Sequence, residues 1–148
     1  MPHLIICVLV SLFCFFTMSP SMVVAEGTTD GSSEAEGGYG EAKARIAAGD
    51  FAGAVAILGP MTVDQPENAD AFNLLGFSNR KMGNLEAAAV AYKAALTINP
   101  SHLGALEYQG EMFVEMGELA MAQANLDKLQ SLCGACEQAQ DLKKALAG

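Results

Sequence analysis

Three glycines, Gly49, Gly83 and Gly117, stand 34 residues apart, and each opens the same phrase: Gly49-Asp50-Phe51, Gly83-Asn84-Leu85, Gly117-Glu118-Leu119. A unit of that length cannot bury its own apolar face, so it must stack on copies of itself. Other columns keep the register. Ala54, Ala88 and Ala122 form one, Leu58, Tyr92 and Leu126 a second, and Met61, Ala95 and Leu129 a third. Ahead of the glycines, Ala42, Gly76 and Gly110 align, as do Phe72 and Leu106. The pattern predicts an all-α array of helix pairs. Each glycine suits the left-handed residue that ends a first helix. Asp50 and Asn84 then serve as N-caps of the second, with Glu118 a poorer one. Small residues at Gly76 and Ala88 let the paired backbones approach. Pro100 pushes Asn99 out of helical geometry and separates two units.

These columns resemble the tetratricopeptide repeat, most closely at Phe72, Leu75, Gly76, Gly83, Leu85, Ala88, Tyr92, Ala95, Leu96 and Pro100. The likeness runs from about residue 39 to 133. It implies a degenerate first repeat over 41–66, a second over 69–102, a third over 103–133 and a capping helix over 134–148. The last rests on Ala139, Leu142 and Leu146, which share a helical face, with Gln138, Asp141, Lys143 and Lys144 on the other. The first repeat departs from the pattern twice. Gly37-Gly38-Tyr39-Gly40 delays its first helix to about Glu41, with Gly38 in the column of Phe72. Gly59-Pro60 predicts a kink or an early break in its second helix.

The chain begins with an apolar run, Leu4 to Met18, and no charged side chain precedes Glu26. Ser19-Pro20 breaks the run and Val23-Val24-Ala25 offers small residues for cleavage, so residues 1–25 read as a secretory signal peptide. An uncleaved N-terminal anchor is the alternative, because Met1-Pro2-His3 supplies no positive charge. Residues 26–40, rich in Gly, Ser, Thr and acid, read as a disordered tether. All 8 basic and 17 acidic residues follow position 25, which leaves the net charge of −9 on the mature part. That balance argues against nucleic acid as a partner, and no membrane insertion of the mature part is expected. The expected setting is the periplasm or the exterior.

Cys133 and Cys136 are the chemically loaded pair of the mature part. Four readings compete. A redox pair of the thioredoxin type follows a strand, and no strand pattern exists here. A c-type haem requires His after the second cysteine, where Glu137 stands. A closed zinc site lacks ligands beyond His102 and carboxylates. A structural disulfide joining the third repeat to the capping helix remains, beside an unpaired or intermolecular thiol. The ending also resembles a group of small exported bacterial repeat proteins, through Leu126, Leu129, Leu132, Cys133, Cys136, Glu137, Leu142, Lys143 and Lys144. That resemblance implies a periplasmic protein and names no activity.

No phosphate-binding glycine loop, nucleophile triad or paired-carboxylate spacing is legible, so no catalytic residue, cofactor or metal is expected. His102 reads as a cap or spacer between repeats two and three. The family resemblance implies instead a concave groove lined by the first helix of each pair. Its register places Lys43 and Ile46 there from the first repeat. The second contributes Asp70, Asn73, Phe77, Arg80 and Lys81, and the third Glu107, Glu111, Val114 and Glu115. Arg80-Lys81 form a basic spot opposite an acidic ridge of glutamates four residues apart. Some family members grip a C-terminal carboxylate with basic groups on three first helices. Gly104 and Tyr108 stand where the third helix would need them, which argues against such a clamp. The expected function is a non-enzymatic scaffold that binds a protein partner. The rivals are a thiol-disulfide oxidoreductase using Cys133 and Cys136, and an accessory subunit of a pilus or secretion assembly.

Overall fold

The computed structural model describes residues 31–148, and the expected signal peptide, its expected cleavage after Ala25 and the start of the expected tether lie outside them. Among the described residues there are seven helices and no strand: α1 Gly31–Ala47, α2 Phe51–Asp64, α3 Ala69–Lys81, α4 Leu85–Ile98, α5 Leu103–Glu115, α6 Leu119–Cys133 and α7 Glu137–Ala147. None is long and apolar enough to cross a membrane. Each helix packs on the next, so α1–α2, α3–α4 and α5–α6 are three pairs closed by α7.

The 34-residue glycines make the turns. Gly49, Gly83 and Gly117 have φ of +76°, +80° and +77°, where a side chain would be strained. The bonds repeat with them. Gly83 N–H donates to the Arg80 carbonyl and Asn84 N–H to the Asn79 carbonyl, and the same pattern recurs after α1 and α5. These bonds satisfy carbonyls that a helix end leaves unpaired. Capping is less regular. Asp50 Oδ1 accepts from Gly53 N–H at 2.9 Å. Asn84, expected to cap as Asp50 does, makes no side-chain cap bond, and neither does Glu118. A Cβ at Gly53 would lie 2.2 Å from Asp50 Oδ2, so that glycine leaves room for the only one of these three caps that forms.

Packing follows the columns. Ala54, Ala88 and Ala122 are fully buried where paired helices touch. A Cβ at Gly76 would sit 2.7 Å from the Tyr92 ring, and one at Gly110 would overlap Leu142. Tyr92 and Leu142 thus fill the space their opposing glycines vacate. Three apolar clusters result: one where α1 and α2 meet α3, one where Ala88 and Tyr92 of α4 meet Met112 of α5, and one in which Leu106, Leu126, Leu129, Ala139 and Leu142 join α5 and α6 to α7.

Two expectations are corrected. The first helix does not wait for Glu41; it begins at Gly31, so residues 31–40 are helical rather than a disordered tether. Tertiary contact outweighs the poor helix propensity of the glycines. Tyr39 packs on the first cluster, and the Cβ position of Gly38 faces Met61 Cε at 3.2 Å, so the methionine fills the column that lacks an aromatic. Nor does α2 break at Gly59-Pro60; it runs on to Asp64. Leu58 and Met61 are buried on either side of the proline, and Thr62 Oγ1 donates to the Gly59 carbonyl at 2.8 Å. Burial of those side chains offsets the one hydrogen bond that proline forfeits.

Candidate functional site

The odd-numbered helices touch one another in series, α1 on α3, α3 on α5 and α5 on α7, while α2, α4 and α6 make no such contacts among themselves. The odd layer is therefore the shorter arc, and its outer surface is the concave face of the stack. α7 extends that layer. Glu137 follows Leu103 by 34 residues, so the capping helix takes the place of the first helix of a fourth repeat.

Arg80 was expected to form a basic spot with Lys81 opposite the glutamates; the structure pairs it with two of them. Its side chain is only 4% exposed. Nη2 donates to Glu111 Oε2 at 2.5 Å and Nη1 to Glu115 Oε1 at 2.6 Å. Its guanidinium carbon lies 5.8 Å from the Phe77 ring centre and 5.9 Å from that of Tyr108. Arg80 is thus a clamp from α3 to α5, consuming two of the three ridge glutamates. A planar fork that pairs with two carboxylates and stacks on rings suits arginine, not lysine.

The aromatic side chains form a connected strip. Phe77 meets Tyr108 with centroids 4.9 Å apart and Phe51 edge-on at 6.1 Å. All three are half-buried. Lys81 is exposed, with Nζ 5.4 Å from the centre of the Phe77 ring. On α1, exposed Lys43 lies over Tyr39 at 5.9 Å. Val114 is half-buried on α5, while Ile46 supports the first apolar cluster and so leaves the expected groove set.

Asp70 and His102 meet across two repeats. Ala105 N–H donates to His102 Nδ1 at 3.1 Å, so the ring is the N-cap of α5. Its Nε2 then carries the proton and donates to Asp70 Oδ1 at 2.9 Å. The histidine is a cap that also fixes α3 to α5.

Glu107 behaves unlike its neighbours on the ridge. It is 8% exposed, and its carboxylate makes no hydrogen bond or ion pair with the described residues. Burial pushes its pKa up to about 7, and the charges of Glu111, Asp141 and Glu137 push the same way, against Arg80. Asn73, 7% exposed, has Oδ1 buried without a partner. Arg80 Nε and Tyr92 Oη are also buried without a hydrogen bond, and the guanidinium is close enough to act on the phenol electrostatically. Beyond Glu107, the exposed Asp141 and Lys144 of α7 line with Glu111 an open hollow of about 480 Å³.

The sequence reading left Tyr39 and Asp141 out of the groove and took Tyr108 only as an obstacle to a carboxylate clamp. Tyr39 and Asp141 were visible in the register, since 39, 73, 107 and 141 are spaced by 34. Tyr108 lies one position outside the groove columns. Cys133 and Cys136 form a disulfide, with Cα atoms 5.6 Å apart, that joins the end of α6 to the N-cap of α7. Among the described residues, no three His, Cys, Asp or Glu side chains converge as a metal would require.

Residues 69–102 match the tetratricopeptide repeat family. Among curated proteins no sequence matches the chain. Solved structures resemble it in fold. The TPR2B domain of yeast Sti1 in its pHsp70 complex superposes with a TM-score of 0.72 at 19% identity, covering 78% of this chain and 94% of that one. The Yersinia enterocolitica type III secretion chaperone SycD, in complex with a peptide of the translocator YopD, gives 0.69 at 20% identity over 78% and 88%. The first TPR of Spaghetti (RPAP3), bound to an HSP90 peptide, gives 0.69 at 15% over 79% and 96%.

Proposed function

Since residues 69–102 match the tetratricopeptide repeat family and the chain shares its fold, we propose that it is a non-enzymatic scaffold that holds a segment of a protein partner along the concave face of α1, α3, α5 and α7. The observation that carries the proposal is the half-buried Phe77–Tyr108 pair, 4.9 Å apart on that face, with exposed Lys81 beside it. Rigid aromatics in a shallow trough supply contact area at small entropic cost, and flanking charge steers encounter. Peptide-bound proteins of the same fold lend support, because they use the fold to hold a short segment. The apolar leader from Leu4 to Met18 supports a setting in the periplasm or cell envelope, with the leader cleaved near Ala25 or kept as an anchor.

Photo-crosslinking tests this reading. A crosslinking amino acid is placed at Lys81 on the concave face, and in a second variant at Val90, 72% exposed on α4 of the outer layer. The proposal expects one partner segment captured in living cells from position 81 and not from 90. Capture from 90 alone, or from neither, contradicts it.

A further inference from the structure

One register position recurs on every helix of the concave layer. Tyr39, Asn73, Glu107 and Asp141 occupy it on α1, α3, α5 and α7. From Asn73 onward the column carries an amide or a carboxylate. Two of its members are more than nine-tenths buried and unpaired. Asn73 Oδ1 has no hydrogen bond, and the Glu107 carboxylate has neither a hydrogen bond nor an ion pair with the described residues. Of the two, only Asn73 Oδ1 is a buried acceptor without a donor, and folded proteins retain few such atoms.

The charges nearby do not supply the missing donor. Arg80 on α3 is engaged by Glu111 and Glu115. Lys144 on α7 is exposed and lines the adjoining hollow with Asp141 and Glu111. Asp141, Glu137 and Glu111 lie close enough to oppose ionisation of Glu107. The unpaired oxygens here, Asn73 Oδ1 and the Glu107 carboxylate, accept hydrogen bonds, and the nearest charges on α5 and α7 are mostly acidic, so the partner that suits them is a donor carrying positive charge.

We propose that Asn73, Glu107 and Asp141 form a subsite for one cationic side chain, Lys or Arg, of the partner segment. The inference rests on the groove reading above and adds its specificity. The basic residue sits at the α5–α7 end of the face, and an apolar neighbour on the segment reaches the Phe77–Tyr108 strip. Arg80 already fills the cation position over those rings, so the incoming cation goes to the unpaired acid beyond them. The neutral tendency of Glu107 fits this role. The carboxylate ionises fully when a cation arrives, so binding near neutral pH releases a proton.

A library of random twelve-residue peptides, selected in parallel on the full chain and on its Glu107→Gln and Phe77→Ala variants, tests the subsite. The expected result is that peptides enriched by the wild type share Lys or Arg at one fixed position. One such peptide should bind Glu107→Gln about tenfold or more weakly, the scale of a desolvated charge pair. Replacing its fixed basic residue by norleucine should abolish the difference between wild type and Glu107→Gln. Circular dichroism of Glu107→Gln, expected to match wild type, shows that the loss is local. Peptides enriched without a common basic residue, yet lost with Phe77→Ala, overturn the cation subsite and leave the groove standing. Equal affinity of the selected peptide for wild type and Glu107→Gln also overturns it. Enrichment of no peptide by the wild type overturns the subsite and the groove together.

Discussion

Two parts of the concave face carry the same chemistry in opposite states. Between α3 and α5, Glu111 and Glu115 are paired with a buried arginine that also packs on Phe77 and Tyr108. Between α5 and α7, one turn earlier on the same helix, Glu107 is more deeply buried than either and has no pair among the described residues. The difference teaches that charge on a repeat face is not one property. Where a guanidinium reaches across, the carboxylates serve the stack. Where none reaches, the carboxylate is left to meet something from outside.

The contrast is broken most forcefully at Arg80. Arg80→Ala leaves two carboxylates without their partner and uncovers the faces of two rings. Losing one member of a buried pair costs about 3–5 kcal/mol, and partial exposure of Glu115 lowers the expectation to about 2–4 kcal/mol. Urea unfolding followed by circular dichroism measures it. A loss below about 0.5 kcal/mol would show that the clamp does not hold α3 to α5.

Glu107 tests the other half. Its pKa is raised from the ordinary 4.5 to about 7 in the folded chain, so the folded state binds more protons than the unfolded state between those values. Stability from this group is complete below pH 4.5 and is lost as pH rises through 7. Glu107→Gln is therefore expected to be more stable than wild type at pH 8 by about 1–2 kcal/mol, with the gap closing toward pH 4. Unfolding curves at both pH values decide the matter. A variant that is less stable at pH 8 would mean that the carboxylate has found a partner after all.

The smallest expected effect concerns the disulfide that ties α7 to α6 and so keeps Asp141 beside Glu107. The loop between Cys133 and Cys136 is short, and chain entropy gives it only about 1–2 kcal/mol. The double Cys→Ser variant should fold, melt slightly lower and show a lowered Glu107 pKa by carboxyl NMR, since a looser α7 relieves both burial and repulsion. An unchanged titration would place α7 independent of the bond. Turnover of disulfide substrates by the wild type, lost in the variant, would instead favour redox work by the pair.

The helix pairs were legible because glycines at 34-residue intervals, small residues opposite Tyr92 and prolines after helices are local constraints repeated in register. What failed to show was non-local. The start of α1 depends on Tyr39 and Gly38 meeting α2, and α2 passes Pro60 because its neighbours are buried. The site residues fell on the right helices, yet their states could not be read. Glu107, Glu111 and Glu115 look alike at four-residue spacing, and only the reach of Arg80 across 31 and 35 positions separates them. His102 was expected as a cap or spacer; its bond to Asp70 needed two repeats stacked.

The account turns on whether the concave face holds a partner. The most direct measurement is calorimetric affinity of the segment captured by crosslinking at position 81, for wild type and for Phe77→Ala. Phe77 packs between Phe51 and Tyr108 at the centre of the strip, where aromatic anchors carry about 2 kcal/mol or more of binding. The account predicts a loss of affinity of at least about tenfold in a variant whose helical spectrum is unchanged. Equal affinity for the two proteins would contradict it.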